Sequence, residues 1–370
     1  AQKISLEGDT LAGSTVVAFN PRATNFMQVK RSQDKSKLMV YDTDLGKRLY
    51  VTVFDLNNLT VLWDRSFTPP DFSYERDFLD AEVDNQGNAY IILEKDNRKS
   101  KRNTTRFDVL YFNGQTLLDR YFKLSIKGKM WFDVDFEFYN LNTRLVGAGL
   151  YTARKWGEAN GFFYLTCNPD GPESYQLNFM EFDQRFLTTV LGKEIKKETG
   201  ISEISIQDLI LRRDGGVLMI AERNKRFSRR ATTYNSFYSP ENPAGFQVDY
   251  HYNDLMLISA HPSGEVHWRE LLRKRQFSQD DRGKYSSYFL MKGGNSLRFL
   301  YNDEIKPDTN VNEYLVLGTG QNKRKNLFNT EEKDVYLMFR YGLQISGSEF
   351  LVPSERRGEL QLCRFSYQGS

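Results

Sequence analysis

A chain of 370 residues with 39% hydrophobic residues, 27% charged residues and only 10 Pro has an ordinary globular composition, which excludes a disordered or fibrous chain. Lys plus Arg number 51 against 48 Asp plus Glu, so a net charge of +3 makes no global case for nucleic-acid binding. No run approaches the roughly 18 apolar residues of a membrane-spanning helix. Cys167 and Cys363 are too few for a disulfide scaffold or a Cys-rich zinc site, and the plain reading is two buried free thiols.

The chain opens at AQKISLEGDT with no Met, no charged leader and no apolar leader core, which suits an exported protein after signal-peptide removal as well as a chain shortened at its start; export is the expectation. Aromatic residues make up 14% of the chain, a bias that favours pleated, half-buried β-surface. From there two kinds of segment alternate. The first is a polar turn leading into a short apolar run: DKSKLMVYDTD from Asp34, DNQGNAYIILE from Asp84, NLNTRLVGAGLYT from Asn140, RDGGVLMIAE from Arg213 and GGNSLRFLYND from Gly293. Each predicts two strands joined by a tight turn. The second is strand, turn, strand: YVTVFDLNNLTVLWDRSF from Tyr50, RFDVLYFNGQTLLDRYF from Arg106, FFYLTCNPDGPESYQLNF from Phe162, NDLMLISAHPSGEVHWRELL from Asn253 and DVYLMFRYGLQISGSEFLV from Asp334.

With Leu38, Tyr90, Leu145, Leu218 and Leu297 as equivalent positions, the repeat spacings are 52, 55, 73 and 79 residues. The first two fit four short strands with their turns, the size of a propeller blade. The expectation is an all-β chain forming a single β-propeller over residues 1–370, with the longer spacings absorbed by rim insertions at 223–250 and 304–332. STVVAFNP from Ser14 and GELQLCRFSY from Gly358 belong to no repeat, and pairing them would complete a sixth blade and close the ring. Six blades fit best, with five or seven left open by the ambiguous ends. Residues 184–200, QRFLTTVLGKEIKKETG, look like a short surface helix between blades.

Catalytic signatures are sparse: there is no G-x-S-x-G, no P-loop, no H-E-x-x-H and no glycine fingerprint before a helix. GTGQNKRKN at Gly318 lacks the strand-loop-helix setting of a phosphate site. In WFDVDFEFY, strand alternation puts Asp133, Asp135 and Glu137 on one face. Such a face could hold a metal ion or supply an acid/base pair of glycosidase type, whereas the plain structural alternative is a solvated edge or channel-facing strand. His251, His261 and His267 would need converging turns to bind a metal. VDNQGN and RRDGGV resemble calcium loops but lack the alternating ligands and closing Glu, so they read as hairpin turns. No cofactor or metal is expected.

The most pointed interaction signal is the segment 223–252, where Arg223, Lys225, Arg226, Arg229 and Arg230 precede several aromatics. Arg273, Lys274 and Arg275 lie in the same repeat, and these eight residues form the expected partner contact. The alternative is a solvated loop. A third basic run, Lys323, Arg324 and Lys325, falls in the other insertion.

Across residues 202–303 the run YNDL at Tyr252, G-E-x-x-W at Gly264, RKRQ at Arg273, YSSY at Tyr285 and YND at Tyr301 resembles exported β-propeller-like proteins of Bacteroidota. Within that group the functional likeness it suggests is to the periplasmic plug of the type 9 secretion translocon. The resemblance implies a non-enzymatic periplasmic protein, peripheral to the outer membrane, that binds a large outer-membrane β-barrel and blocks its opening. A propeller of another class would use its central channel for carbohydrate binding or hydrolysis, with Asp133, Asp135 and Glu137 as the acids.

Overall fold

The computed structural model describes residues 2–4, 9–13, 27–44, 47–95, 106–116, 119–126, 128–153, 157–171, 175–196, 199–230 and 246–367. At the N-terminus β1 (Gln2–Ile4) and β2 (Thr10–Gly13) pair with each other. Six antiparallel sheets then follow one another along the described chain. The first holds β3 (Gln28–Arg31), β4 (Lys37–Asp44), β5 (Arg48–Asp55) and β6 (Thr60–Phe67). After the short helix α1 (Tyr74–Asp77), the second holds β7 (Phe78–Val83), β8 (Ala89–Lys95), β9 (Arg106–Phe112) and β10 (Asp119–Ser125). The third holds β11 (Met130–Tyr139), β12 (Arg144–Thr152), β13 (Gly161–Cys167) and β14 (Tyr175–Glu181), and helix α2 (Gln184–Leu191) follows it. The fourth runs β15 (Ile204–Leu211), β16 (Val217–Arg230), β17 (Phe246–Ala260) and β18 (Val266–Leu272), with β19 (Gln276–Gln279) as an extra partner of β17. The fifth holds β20 (Phe289–Lys292), β21 (Ser296–Asn302), β22 (Asn310–Leu317) and β23 (Asn322–Asn329), and the sixth β24 (Leu343–Gln344), β25 (Glu349–Arg356) and β26 (Glu359–Ser366). This succession of meandering sheets is a β-propeller.

The repeat arises from turn chemistry and period-two burial acting together. Each first-kind segment makes the hairpin between the first and second strands of a sheet. In the second sheet Asp84 accepts from the backbone N–H groups of Gln86 (2.9 Å) and Asn88 (2.8 Å), and Gly87 takes the positive φ of 87° that closes the turn. Successive residues of the central strands then divide between two interfaces. Ile91 and Leu93 of β8 join Val51, Val53 and Trp63 between the first and second sheets, while Tyr90 and Ile92 join Phe136 and Phe138 between the second and third. Comparable cores fill the joins between the third and fourth, fourth and fifth, and fifth and sixth sheets. Because both faces are buried, these strands read as near-continuous apolar runs.

Segment 304–332 is not a rim insertion: β22 and β23 within it are the outer half of the fifth sheet. Its outer strand carries Lys323, Arg324 and Lys325 in an exposed position, which hides the strand alternation. DVYLMFRYGLQISGSEFLV accordingly opens the sixth sheet instead of closing the fifth, through the Leu337–Ser354 bridge and the β24–β25 pair. GELQLCRFSY is β26, paired with β25, while the expected closing strand STVVAFNP lies outside the described residues. Of the surface helix expected over 184–200, only 184–191 are helical, and the Lys/Glu-rich part described after it is not; Asp183 caps the first turn through Phe186 N–H (2.8 Å), and Phe186, Leu187 and Val190 are buried against the third and fourth sheets, not on the surface.

Candidate functional site

Two features stand out from this frame: charged residues gathered on the first strands of the sheets, and a hairpin that outgrows its blade. First strands of neighbouring sheets lie side by side, β3 against β7, β7 against β11 and β11 against β15. Side-chain bridges continue the series: Tyr288 O–H before β20 donates to Asp208 of β15 (3.0 Å), and Gln344 of β24 bonds both the N–H (2.9 Å) and the C=O (2.8 Å) of Lys292.

β7, β11 and β15 each contain a bulge followed at once by an aspartate, namely Asp80, Asp133 and Asp208. These three do different work. Asp133 accepts from the backbone N–H of Ile206 (2.7 Å), tying the third sheet to the fourth. Asp80 lies beside Lys30 of β3 (3.7 Å) and accepts from Ala81 N–H (2.7 Å). Lys30 also pairs directly with Glu82, whose side chain is only 4% exposed. Asp135 and Glu137 complete the cluster from β11, with Asp135 accepting from Phe136 N–H (3.0 Å).

Four carboxylates therefore share one nearby ammonium, and their titration reflects it. Burial, then the charges of Asp80 and Glu137, push Asp135 up to about 7. Burial raises Asp80 and Glu137, and raises Glu82 well above the usual carboxylate range with help from Glu137 and Asp80. Burial works against the charge of Lys30, but Glu82 and Asp80 outweigh it and hold its pKa above that of a free lysine. Asp208 is raised by burial, offset in part by Lys292. Sequence alternation identified Asp133, Asp135 and Glu137 as one face; it missed Lys30 on β3, Asp80 and Glu82 on β7, and Asp208 on β15. Aligning FLDAEV before the VDNQGN turn with WFDVDFEFY before its own turn would have exposed the shared acidic first-strand positions. Among the described residues no three His, Cys, Asp or Glu side chains come together in a group fit to hold a metal ion.

The second feature is an arm. β16 and β17 are 14 and 15 residues long, against 7 in β8 and 9 in β12. Beyond Arg223, β16 leaves β15, and beyond Leu255 β17 exchanges β18 for β19. The outer half is thus a three-stranded extension of the blade. Alternation places Lys225, Phe227 and Arg229 on one face, with His251 and Phe277 in the row across from Lys225. Phe227 is 49% and Phe277 46% exposed, and His251 packs on Phe277 with ring centroids 4.9 Å apart.

Most of the expected cationic contact is already neutralised within the chain. Lys225 pairs with Glu203 (2.5 Å), Arg229 with Asp249 (2.8 Å), and Arg223 and Arg273 converge on Asp254 (3.9 and 2.9 Å). Lys274 does not belong to a contact surface: its side chain is 1% exposed, and its ammonium lies 2.6 Å from Glu222 and bonds to Gln276 (3.0 Å) and Tyr252 O (3.1 Å). The reason is alternation in the segment entering β19, which turns Lys274 and Gln276 inward and Arg273, Arg275 and Phe277 outward. Arg226, over the Tyr250 ring at 5.8 Å, and exposed Arg275 make no ion pair among the described residues. The side chain of Arg230 and residues 231–245 lie outside the described residues.

The other sequence candidates resolve locally. His261 and His267 are neighbours (4.6 Å), but His251 stands ten residues along β17 from His261, about 30 Å of extended strand, so the three do not converge. Asp214 in RRDGGV accepts from Gly216 N–H (3.0 Å) and Arg212 (2.6 Å), as a hairpin turn would. Cys167 and Cys363 are unpaired thiols in the third and sixth sheets, Cys167 raised to about 12 by burial. Among the described residues no helix is long and apolar enough to cross a membrane.

No protein-family model matches the chain, and no curated protein does. Similar solved structures are distant. The β-propeller domain of the trilobed protease from Pyrococcus furiosus is 10% identical with a TM-score of 0.42, over 94% of this chain and 84% of that one. The WD40 domain of SCAP from fission yeast is 6% identical with a TM-score of 0.37, over 94% and 82%. A prolyl endopeptidase is 10% identical with a TM-score of 0.43 over 97% of this chain, which spans 45% of the endopeptidase. At such values no activity, substrate or partner transfers from these proteins to this chain.

Proposed function

We propose that this protein is a non-enzymatic, protein-binding propeller of the bacterial envelope, lying on the periplasmic side and docking on a large outer-membrane β-barrel translocon whose opening it blocks. The observation that carries the reading is the β16–β17–β19 arm, which extends past its blade and exposes Phe227, Phe277, Arg226 and Arg275. Exposed aromatics with unpaired arginines have the composition of interface anchors. A rigid disc can cover a wide mouth while one arm supplies the anchor. The plug role itself comes from the resemblance across residues 202–303. The test compares co-purification of the translocon with the wild type, with Phe227→Ser/Phe277→Ser, and with Arg226→Glu/Arg275→Glu. Loss in the aromatic variant supports the arm as the contact; full retention in both removes it.

A second reading, a carbohydrate-binding or hydrolytic channel, draws on Asp135 at about 7 and its raised neighbours, a property shared with acid/base sites. Against it, Lys30 is already ion-paired with Glu82 and lies beside Asp80. Hydrolysis would also need two carboxylates facing each other across a sugar-sized gap. Measurable turnover of any glycoside that Asp135→Asn and Glu137→Gln abolish would favour this reading.

A further inference from the structure

We infer that the acidic cluster on the first strands is a proton-dependent clamp between the first three sheets, tightening as its carboxylates take up protons and loosening as they ionise. The inference is independent of what the arm binds. It stands on placement. β3 is four residues long, pairs only with β4 among the described strands, and is largely exposed. Its cross-link to the second sheet is Lys30, set against Asp80 and Glu82 of β7. β11 lies against β7, and the charges of its Asp135 and Glu137 act on the same ammonium. Farther along the row of first strands, Asp208 of β15 and Lys292 of β20 act on Glu137, and Tyr41 of β4 feels both Asp80 and Lys30.

One lysine balances one carboxylate at short range. When all four carboxylates are charged, the excess negative charge is held across three adjacent strands with little water to screen it, and the strands repel. Each proton taken up by Asp80, Asp135 or Glu137 removes one repulsion and leaves the Lys30–Glu82 pair in place, whereas a proton on Glu82 removes repulsion at the expense of that pair. A carboxylate at about 7 in the closed state and at the ordinary value in the open state makes opening about tenfold easier at pH 8 than at pH 6.

Hydrogen exchange followed by mass spectrometry, at pH 6 and pH 8 and corrected for intrinsic rates, tests the clamp on the full chain. Peptides covering β3, β7 and β11 are expected to open about tenfold more at pH 8, with β22 unchanged as internal reference. Asp135→Asn keeps the acceptor for Phe136 N–H and removes the charge, so its ratio between the two pH values should fall towards one. If that variant does not fold, Glu137→Gln is expected to reduce the same ratio. Equal protection of wild-type β3, β7 and β11 at both pH values overturns the inference, as does an undiminished ratio in the variant. Recovery of full protection at pH 8 on adding millimolar calcium chloride would also overturn it, because a metal ion and not the proton would then be the counter-charge.

Discussion

Lys274 and Glu222 show how a single residue's surroundings reverse its meaning. In the string RKR a lysine is an exposed contact. In the structure its ammonium and the Glu222 carboxylate are both out of water, with Ser287 O–H (2.7 Å) completing the carboxylate's bonds. Removing one partner strands a buried charge, so Lys274→Met should cost about 3–5 kcal/mol in denaturant unfolding, and adding Glu222→Leu should return most of it. A single variant as stable as wild type would mean the pair is hydrated. The carboxylates give a second residue-scale prediction. Asp135, raised to about 7, penalises the folded state above that pH, and the penalty fades as pH falls towards its unfolded value. Asp77 is the opposite case: burial opposes its charge, but Arg76 and Lys95 hold it at about 2, so its contribution is present above about pH 4 and is lost in acid. The melting temperature should therefore rise by about 3 °C, on the order of 2 kcal/mol, from pH 8 to pH 5.5, then fall below about pH 4. A melting temperature that falls steadily from pH 8 would contradict the cluster's assignment.

At the scale of elements, the hairpins were legible because two independent signals coincide in each: a turn residue fit for a tight turn and a run of apolar positions ending at it. All five first-kind segments fall on the hairpin between the first two strands of a sheet. Legibility failed at the fifth sheet's outer pair, since buried β22 carries Asn312 and Glu313 among its apolar residues, and edge strand β23 has no buried face to impose alternation while Lys323–Lys325 look like loop. It failed also for the arm's charges, because Glu203, Asp249 and Asp254 approach the arginines and lysine only after the sheet forms. Packing between elements sets the tolerance of β12. A Cβ on Gly149 would lie 2.5 Å from Asp133 O and 2.7 Å from the Phe163 ring. Gly149→Val should accordingly destabilise by roughly 2–4 kcal/mol in thermal or denaturant unfolding. A near-neutral result would mean that β11 can move away from β12. By contrast, replacing residues 225–251 with a two-residue Asn-Gly turn should leave the melting temperature within about 2 °C, because the arm's outer strands contribute to none of the cores between sheets.

For the whole molecule, the propeller was readable from the alternation of two segment types, and five inter-sheet cores in chain order bear that out. The acidic cluster was readable only in part, since Asp135 and Glu137 stand out along β11 but their approach to Asp80, Glu82 and Lys30 on other strands has no linear signature. A disc of packed sheets with one long arm suits docking, and the central claim is that the arm anchors the protein to its partner. The most direct measurement is a mild-detergent pull-down from the host envelope, run in parallel with the wild type and the arm-shortened variant, with retained partners identified by mass spectrometry. The account predicts stoichiometric recovery of one very large outer-membrane barrel with the wild type and its loss with the variant. Recovery of the propeller alone, or of the same barrel with both proteins, would contradict it.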